Sequence, residues 1–519
     1  MSRRLSVGID LGTSNGCVYY QYLQPQCDRL SINGSSPLVP SVVSYGDENP
    51  VVGDVAKIHL SNKVRGIGTK NYTVIRNSKR VLGIKYRDDL VAIRESLCFA
   101  KTEKGADGFV EFVSDDKSKR FTPVDVASDI LRFLCVEVQK LGGKVIDSLV
   151  VTVPARFNYR QIIYTYDAIK RAFDKRTKVL LIDEPTAAAV ASNILLQDKD
   201  TTFIVYDLGG GTFDLSILRY SNNSIRCLKT SGDDSIGGVL FDEELRKYIQ
   251  KDEDWIAFIN SRKPKSVKRS EEILLSQCTK AKEQLSQATS AEISVGDGDF
   301  TFSLQRSIFD NVIKDIVQRT INIMNKAIAD AGLARDMIDQ VILVGGSTRT
   351  LLVQEMIKKN FDGRDIVMHT LDPWCCVAHG ACMISRAWEQ SNFNESQIII
   401  NNKSFALDID LDGIFSIEQF PQLDARPDSY SFSSSTLTVD KRPESIRFPT
   451  LPFKGNTRPD SVHSPTSTLT LDMRPESVRF PNMFLSLEGK PTSVRFTEAT
   501  IEQLKQLCRD HSSILFYHL

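Results

Sequence analysis

The chain has no surplus of either charge: Lys plus Arg and Asp plus Glu each number 65 in 519 residues. That balance excludes a broad basic field for nucleic acid and an acidic tail, so any binding must come from local sites. Histidine is scarce, at 6, and dispersed, which argues against a histidine-built metal centre. The 10 cysteines contain one adjacent pair, Cys375 and Cys376, and no CxxC spacing. Scattered among apolar segments, they read as reduced core thiols rather than a zinc site or disulfide framework. No apolar run is long enough to cross a bilayer, and MSRRLSVGID enters a strand without a signal-peptide core. The expected setting is cytosolic or nucleocytoplasmic, with neither membrane nor nucleic acid as partner. A chain of this length exceeds one ordinary core, so two to four domains are expected.

What is present is a repeated turn. In TFIVYDLGGGTFDLSIL, Thr202 to Leu218, an apolar strand runs into Asp207, then Gly209, Gly210 and Gly211, then Thr212 and a second aspartate, before an alternating strand returns. Glycines let successive backbone N–H groups approach phosphate oxygens closely. A carboxylate at the strand end suits Mg²⁺, which takes oxygen ligands and keeps most of its waters. LSVGIDLGTSNGCVYY has the same design: strand, Asp10, Gly12, then Thr13, Ser14, Asn15 and a second strand. Two such hairpins facing one cleft predict two pseudo-equivalent α/β lobes.

Other segments offer groups to that cleft, each with a plainer reading beside it. Lys79 and Arg80 are either a solvated pair or a cation that reaches a terminal phosphate. Glu184, where the strand KVLLID meets a helix started by Pro185, either orders an attacking water or caps the helix. Gly237 and Gly238 form a tight turn before a helix, suited to a ribose or phosphate or simply to starting that helix. KSVKRSEEILLSQCTKAKEQLSQAT reads as one long helix with Lys282 and Ser286 one turn apart on one face. IDQVILVGGSTRTLLVQEM adds a third glycine turn, Gly345 and Gly346, between strand and helix and suited to adenosine.

In this order GIDLGTSNGCV, NSKRVLG, VTVPARFN, DEPTAAA, YDLGGGTFD, SIGG and ILVGGSTR resemble the ATPase domain of the 70-kDa heat-shock chaperones, within the actin and hexokinase superfamily. The resemblance covers Leu5 to about Trp388 and implies duplicated ribonuclease H-like lobes with MgATP between them and slow hydrolysis coupled to a substrate domain. It implies that Thr13, Ser14, Asn15, Gly209 to Thr212 and Gly346 contact phosphate, and that Asp10 and Asp207 hold hydrated Mg²⁺. Lys79 and Glu184 then place the attacking water, and Lys282, Ser286, Ser347 and Arg349 line the adenosine. Client proteins, a J-domain partner and a nucleotide exchange factor are the implied partners of a monomer. The departures lie away from the phosphates. Thr279 and Glu283 replace a glutamate and an arginine on the adenosine helix, and losing a planar guanidinium should weaken adenine affinity. Trp374 stands where an aspartate is usual, either restoring stacking or filling core. Ile162 replaces the arginine of the segment that relays nucleotide state, and Val239 an acid after Gly238.

These readings divide the chain into an ATPase domain over 1–390, a linker or remnant of a substrate-binding β-domain over 391–420, a repeat over 421–497 and a terminal helix over 498–519. FALDIDLDGIFSIEQF resembles at best the first strands of the family's β-sandwich. In the repeat, Arg426, Arg442, Arg458, Arg474 and Lys490 each open a [RK]Px-Ser turn, sixteen residues apart. Alternating segments between them read as short strands of a solenoid or meander, or as a string of linear motifs. Ser429, Ser445, Ser461, Ser477 and Ser493 either bond their own turns or present a basophilic-kinase pattern. The sequence shows neither an acidic terminal tetrapeptide nor an ER-retention ending. The first functional expectation is a slow ATPase chaperone with an atypical partner module. The alternatives are an ATP-binding scaffold that clamps no peptide and a small-molecule kinase.

Overall fold

A computed structural model of the chain describes residues 5–390, apart from short loops at 23–25, 33–35, 47, 66–71, 143–144, 174–176, 195–198, 222–223, 297 and 369–371. Beyond 390 it describes only the strands Gln397–Ile400, Lys403–Ala406, Arg479–Phe480, Met483–Phe484 and Val494–Arg495. The sixteen-residue repeat, its serines and the terminal helix therefore lie almost wholly outside the described residues.

Two mixed sheets dominate this α/β architecture. In the first, the strand Ser6–Leu11 pairs antiparallel with Asn15–Gln21 and parallel with Ser148–Val153, which pairs parallel with Lys178–Asp183. In the second, Thr201–Leu208 pairs antiparallel with Phe213–Ser221 and parallel with Gln340–Val344, and Ser224–Asp233 extends the antiparallel side. Each sheet thus has a central strand with a hairpin return on one side and a parallel neighbour on the other. Central strands buried on both faces read as continuous apolar runs, and SVGIDL and TTFIVYDL do so. Gln397–Ile400 adds to the first sheet beside Lys178–Asp183 and turns back through Lys403–Ala406. Of FALDIDLDGIFSIEQF, read from sequence as the possible first strands of a sandwich, only Phe405 and Ala406 belong to this pairing, and the rest lies outside the described residues.

Helices cover both sheets. Pro123–Gly142 and Tyr159–Ala172 share one core with the first sheet, the latter opened by a capping box between Asn158 and Gln161. Gly238–Ile249, Pro264–Gln284 and Arg306–Asp330 enclose the second. A third core gathers the helices Glu184–Ala191 and Cys376–Gln390 with residues of both sheets, including Leu180, Phe203, Val205 and Ile342. The two helices touch without a side-chain layer: a Cβ on Gly380 would collide with the carbonyl of Ala187. Because that obstacle is backbone, Gly380→Val should cost about 3 kcal/mol or more by overpacking, read as a lower midpoint in urea unfolding.

Candidate functional site

In open α/β sheets ligands bind beyond the carboxyl ends of the strands, and both central strands end with an aspartate there. Asp10 lies opposite Thr152 and Cys17, and Asp207 opposite Val344 and Asp214. The turns after them are held by local bonds. Gly209 N–H donates to Thr212 O at 3.0 Å, and Ser41 clamps the first turn through Gly12 O at 2.8 Å and Ser14 O at 2.9 Å. Both turns face one cleft, whose wall includes Asp10, Gly12 to Asn15, Lys79, Glu184, Asp207, Gly209 to Thr212, Gly345 and Gly346.

At the inner end, Lys79 Nζ donates to Glu184 Oε1 at 2.9 Å, with both side chains nearly buried. Lys79 comes from a short helix, Ser78–Val81, and Glu184 from the first turn of Glu184–Ala191. The cap of that helix is Asp183, which accepts from Thr186 N–H at 2.8 Å. Glu184 is therefore not the capping group and is left to face the lysine. Burial works against the Lys79 ammonium, but Glu184 and Asp10 outweigh it and hold its pKa above the ordinary value. Burial pushes Glu184 up to about 7 against the pull of Lys79. Burial also raises Asp10, and it raises Asp207 further, with Glu184, Asp214 and Asp10 adding to the effect. Asp10, Glu184 and Asp207 share one ammonium, Lys79, while Asp214 is paired with Arg156; a hydrated divalent cation would favour the ionised carboxylates, so Asp10 and Asp207 fit a Mg²⁺ held through water.

The glycines beyond the phosphate turns are packed from behind. Gly238 N–H donates to Gly209 O at 3.0 Å and Val239 N–H to Gly210 O at 2.7 Å, while a Cβ on Gly237 would strike the backbone of Gly211. Ser347 Oγ donates to Gly209 O at 2.9 Å, and Gly345, at φ +84°, has no room for a side chain against Leu208 O and Asp207. Lys282 Nζ donates to Gly238 O at 3.1 Å and pairs with Asp242 at 2.8 Å. Arg349 stacks on the Trp374 ring at 4.5 Å. Ser286 departs from the expected placement. The helix ends at Gln284, where Arg306 takes the carbonyls of Leu285 (2.9 Å) and Ala288, and the Ser286 hydroxyl donates to Glu283 O at 2.6 Å. Lys282 and Ser286 are therefore not successive residues of one helical face.

Sequence reasoning missed one cross-cleft arginine, Arg156, and read the other, Arg80, only as half of a basic pair with Lys79. Arg156, just past the first-sheet strand Ser148–Val153, donates from Nε to Asp214 Oδ1 of the second sheet at 2.7 Å and pairs with Asp234. Arg80 donates to Gly211 O and, at 2.9 Å, to Asp234 O. A lone arginine after VTVPA forms no pattern; only its position at a strand end, shared with Asp10 and Glu184, singles it out. Charge-assisted bonds of this kind contribute about 1.5–3 kcal/mol, and these exist only while the two sides are together. Arg156→Gln should therefore speed release of a fluorescent ADP roughly tenfold in stopped-flow chase.

The architecture and cleft define an α/β protein in which two mixed sheets present carboxylate-tipped glycine turns to a shared cavity. The chain belongs to the Hsp70 family: the model of that family, described as Hsp70 protein, matches residues 6–449. It is 34% identical over 408 residues to a chaperone protein HscA homolog of Pseudoalteromonas atlantica, and 34% identical over 404 residues to one of Actinobacillus pleuropneumoniae. Each match covers 77% of this chain but only 59% of the relative, so the chain spans well under the full length of these proteins. The resemblance drawn from the seven motifs is thereby borne out for the family. Among the described residues, no helix is long and apolar enough to cross a membrane.

Proposed function

We propose that the chain binds MgATP between two actin-like lobes and hydrolyses it slowly, as a chaperone of the Hsp70 type with an atypical partner module beyond residue 390. The observation that carries this reading is the convergence of the Asp10 and Asp207 turns on one cleft with the Lys79–Glu184 pair at its inner end. Phosphoryl transfer depends on positioning and charge stabilisation, with little covalent chemistry for the protein to perform. The backbone N–H groups of Gly12 to Ser14 and Gly210 to Thr212 cradle the phosphates, on a turn closed by the Gly209 N–H. Asp10 and Asp207 would hold the hydrated Mg²⁺, which would supply charge neutralisation for the phosphates. Lys79 sits where charge grows on the transferred group, and Glu184 orients the attacking water. Lys282, Ser347 and Arg349 stand on the nucleoside side. Unfolded clients, a J-domain partner and a nucleotide exchange factor follow as proposed partners from membership of the family.

A specific observation favours a second reading, a nucleotide-binding scaffold that clamps no peptide. Ile162 is buried in the first core, so the segment that should relay nucleotide state offers an aliphatic group there. Single-turnover hydrolysis of ATP by the full chain, with and without an unfolded apolar peptide, separates the two. Stimulation by peptide supports the chaperone; measurable but unresponsive hydrolysis supports the scaffold. Absence of hydrolysis with ATP bound would remove the ATPase reading.

A further inference from the structure

Trp374 is the one tryptophan of three that is substantially exposed, at 37%, against 3% for Trp255 and 5% for Trp388. Among the described residues, its indole is the one aromatic side chain in the wall of a cleft lined by glycines, carboxylates, hydroxyls and the small apolar groups Leu38, Pro154, Val344, Pro373 and Val377. The Arg349 guanidinium lies 4.5 Å from its ring, and its Nε1 edge abuts Gly346 so closely that a Cβ there would overlap it. The remaining surface belongs to the cleft wall that also carries Asp10, Asp207 and the two phosphate turns.

The loop that bears this indole is fixed from several directions. Pro373 O accepts from Gly345 N–H at 2.9 Å, Asp372 accepts from Trp374 N–H at 3.2 Å, and Arg29 pairs with Asp372 at 3.0 Å. By contrast, the lysine and hydroxyl side chains on that side of the cleft have partners within the protein, the exposed Glu283 carboxylate aside. Lys282 is neutralised by Asp242, Thr279 Oγ1 donates to Asp242 Oδ2 at 2.9 Å, and the Ser286 and Ser347 hydroxyls donate to main-chain carbonyls.

We propose that the open surface of Trp374 is the platform on which the nucleobase stacks, and that stacking rather than hydrogen-bond readout sets base choice, so that guanine nucleotides are accepted about as well as adenine nucleotides. This rests on the reading of the cleft as a nucleoside triphosphate site. Every base has a π-face, so recognition by an aromatic wall is tolerant of base identity, whereas sites that discriminate do so with unpaired donors and acceptors. Arg349 holds the indole by a cation–π contact on the side away from the base.

The test titrates the full chain with MgADP, MgGDP and magnesium tripolyphosphate, following intrinsic fluorescence and calorimetric heat. The expected result is ADP and GDP dissociation constants within about threefold of each other, with both nucleotides quenching emission. Trp374→Ala should weaken both about tenfold or more while leaving tripolyphosphate binding unchanged, and Trp374→Tyr should keep most of the affinity. Tripolyphosphate binding together with a more than tenfold preference for ADP over GDP would overturn the platform alone. So would an unchanged or higher nucleotide affinity in Trp374→Ala, because the indole would then be a plug. Failure of tripolyphosphate and both nucleotides to bind the folded chain would remove the triphosphate site, and this inference with it.

Discussion

Lys79→Met is expected to slow single-turnover ATP hydrolysis at least a hundredfold while leaving the dissociation constant for MgADP within about threefold. The ammonium is almost enclosed, 2.9 Å from Glu184 and 5.5 Å from the centre of the Phe157 ring, and so acts where solvent screens little. Removing a preorganised charge aimed at a transferring group typically costs 10²–10³ in rate, about 3–4 kcal/mol. ADP lacks the γ-phosphate and serves as the control for simple loss of the cradle. The substitution also strands one member of a buried pair, which should lower unfolding stability by about 3 kcal/mol. Lys79→Met combined with Glu184→Gln should regain most of that stability without regaining turnover. Hydrolysis within fivefold of wild type would show that the lysine does not act on the transferred phosphoryl.

Asp207→Asn should have opposite effects on stability and function. The carboxyl is buried, with Glu184, Asp214 and Asp10 all raising its pKa well above 3.8 and only partly opposed by Lys79. A group whose pKa is raised in the folded state costs nothing below its unfolded pKa and costs more as pH climbs towards its folded value. The asparagine variant should therefore match wild type near pH 4 and exceed it by about 1–3 kcal/mol at pH 7 without nucleotide or Mg²⁺, measured by urea unfolding. Turnover should fall at least a hundredfold, and added Mg²⁺ should no longer tighten ATP binding in calorimetry. A variant less stable than wild type at pH 7 would mean that the carboxylate cluster is compensated within the protein, and the account of Mg²⁺ retention would fail. Such a gain in stability with loss of function is the usual mark of a site strained for its task.

How much of this was legible follows from the kind of group involved. The two hairpins could be read because a strand that ends in aspartate and runs into glycine is a pattern of adjacent residues, and the structure brings both to one cleft. Glu184 could be found but not assigned from sequence alone, since any carboxylate beside Pro185 could equally cap the helix. It took the Asp183–Thr186 bond to separate the two roles. Ser286 falls off the helical face because periodicity continues through KEQLSQAT, whereas the helix ends at Gln284 and the turn that follows it gives the carbonyls of Leu285 and Ala288 to Arg306, a partner with no local signature. Arg156 carried no local signature at all, because its partners Asp214 and Asp234 come from the other sheet. Trp374 stood out as a departure, but which of its surfaces is open depends on where Arg349 and Gly346 fall. The [RK]Px-Ser repeat could be counted in the sequence, and its arrangement lies outside the described residues.

The bare contact between Gly380 and Ala187 has a mechanical consequence. One of the joined helices begins with Glu184, and the other starts two residues after Trp374. With no compressible layer between them, the pair forms a single caliper whose jaws keep a constant span. A nucleotide bound as proposed would thereby be gauged from its base to its terminal phosphate by one part of the molecule.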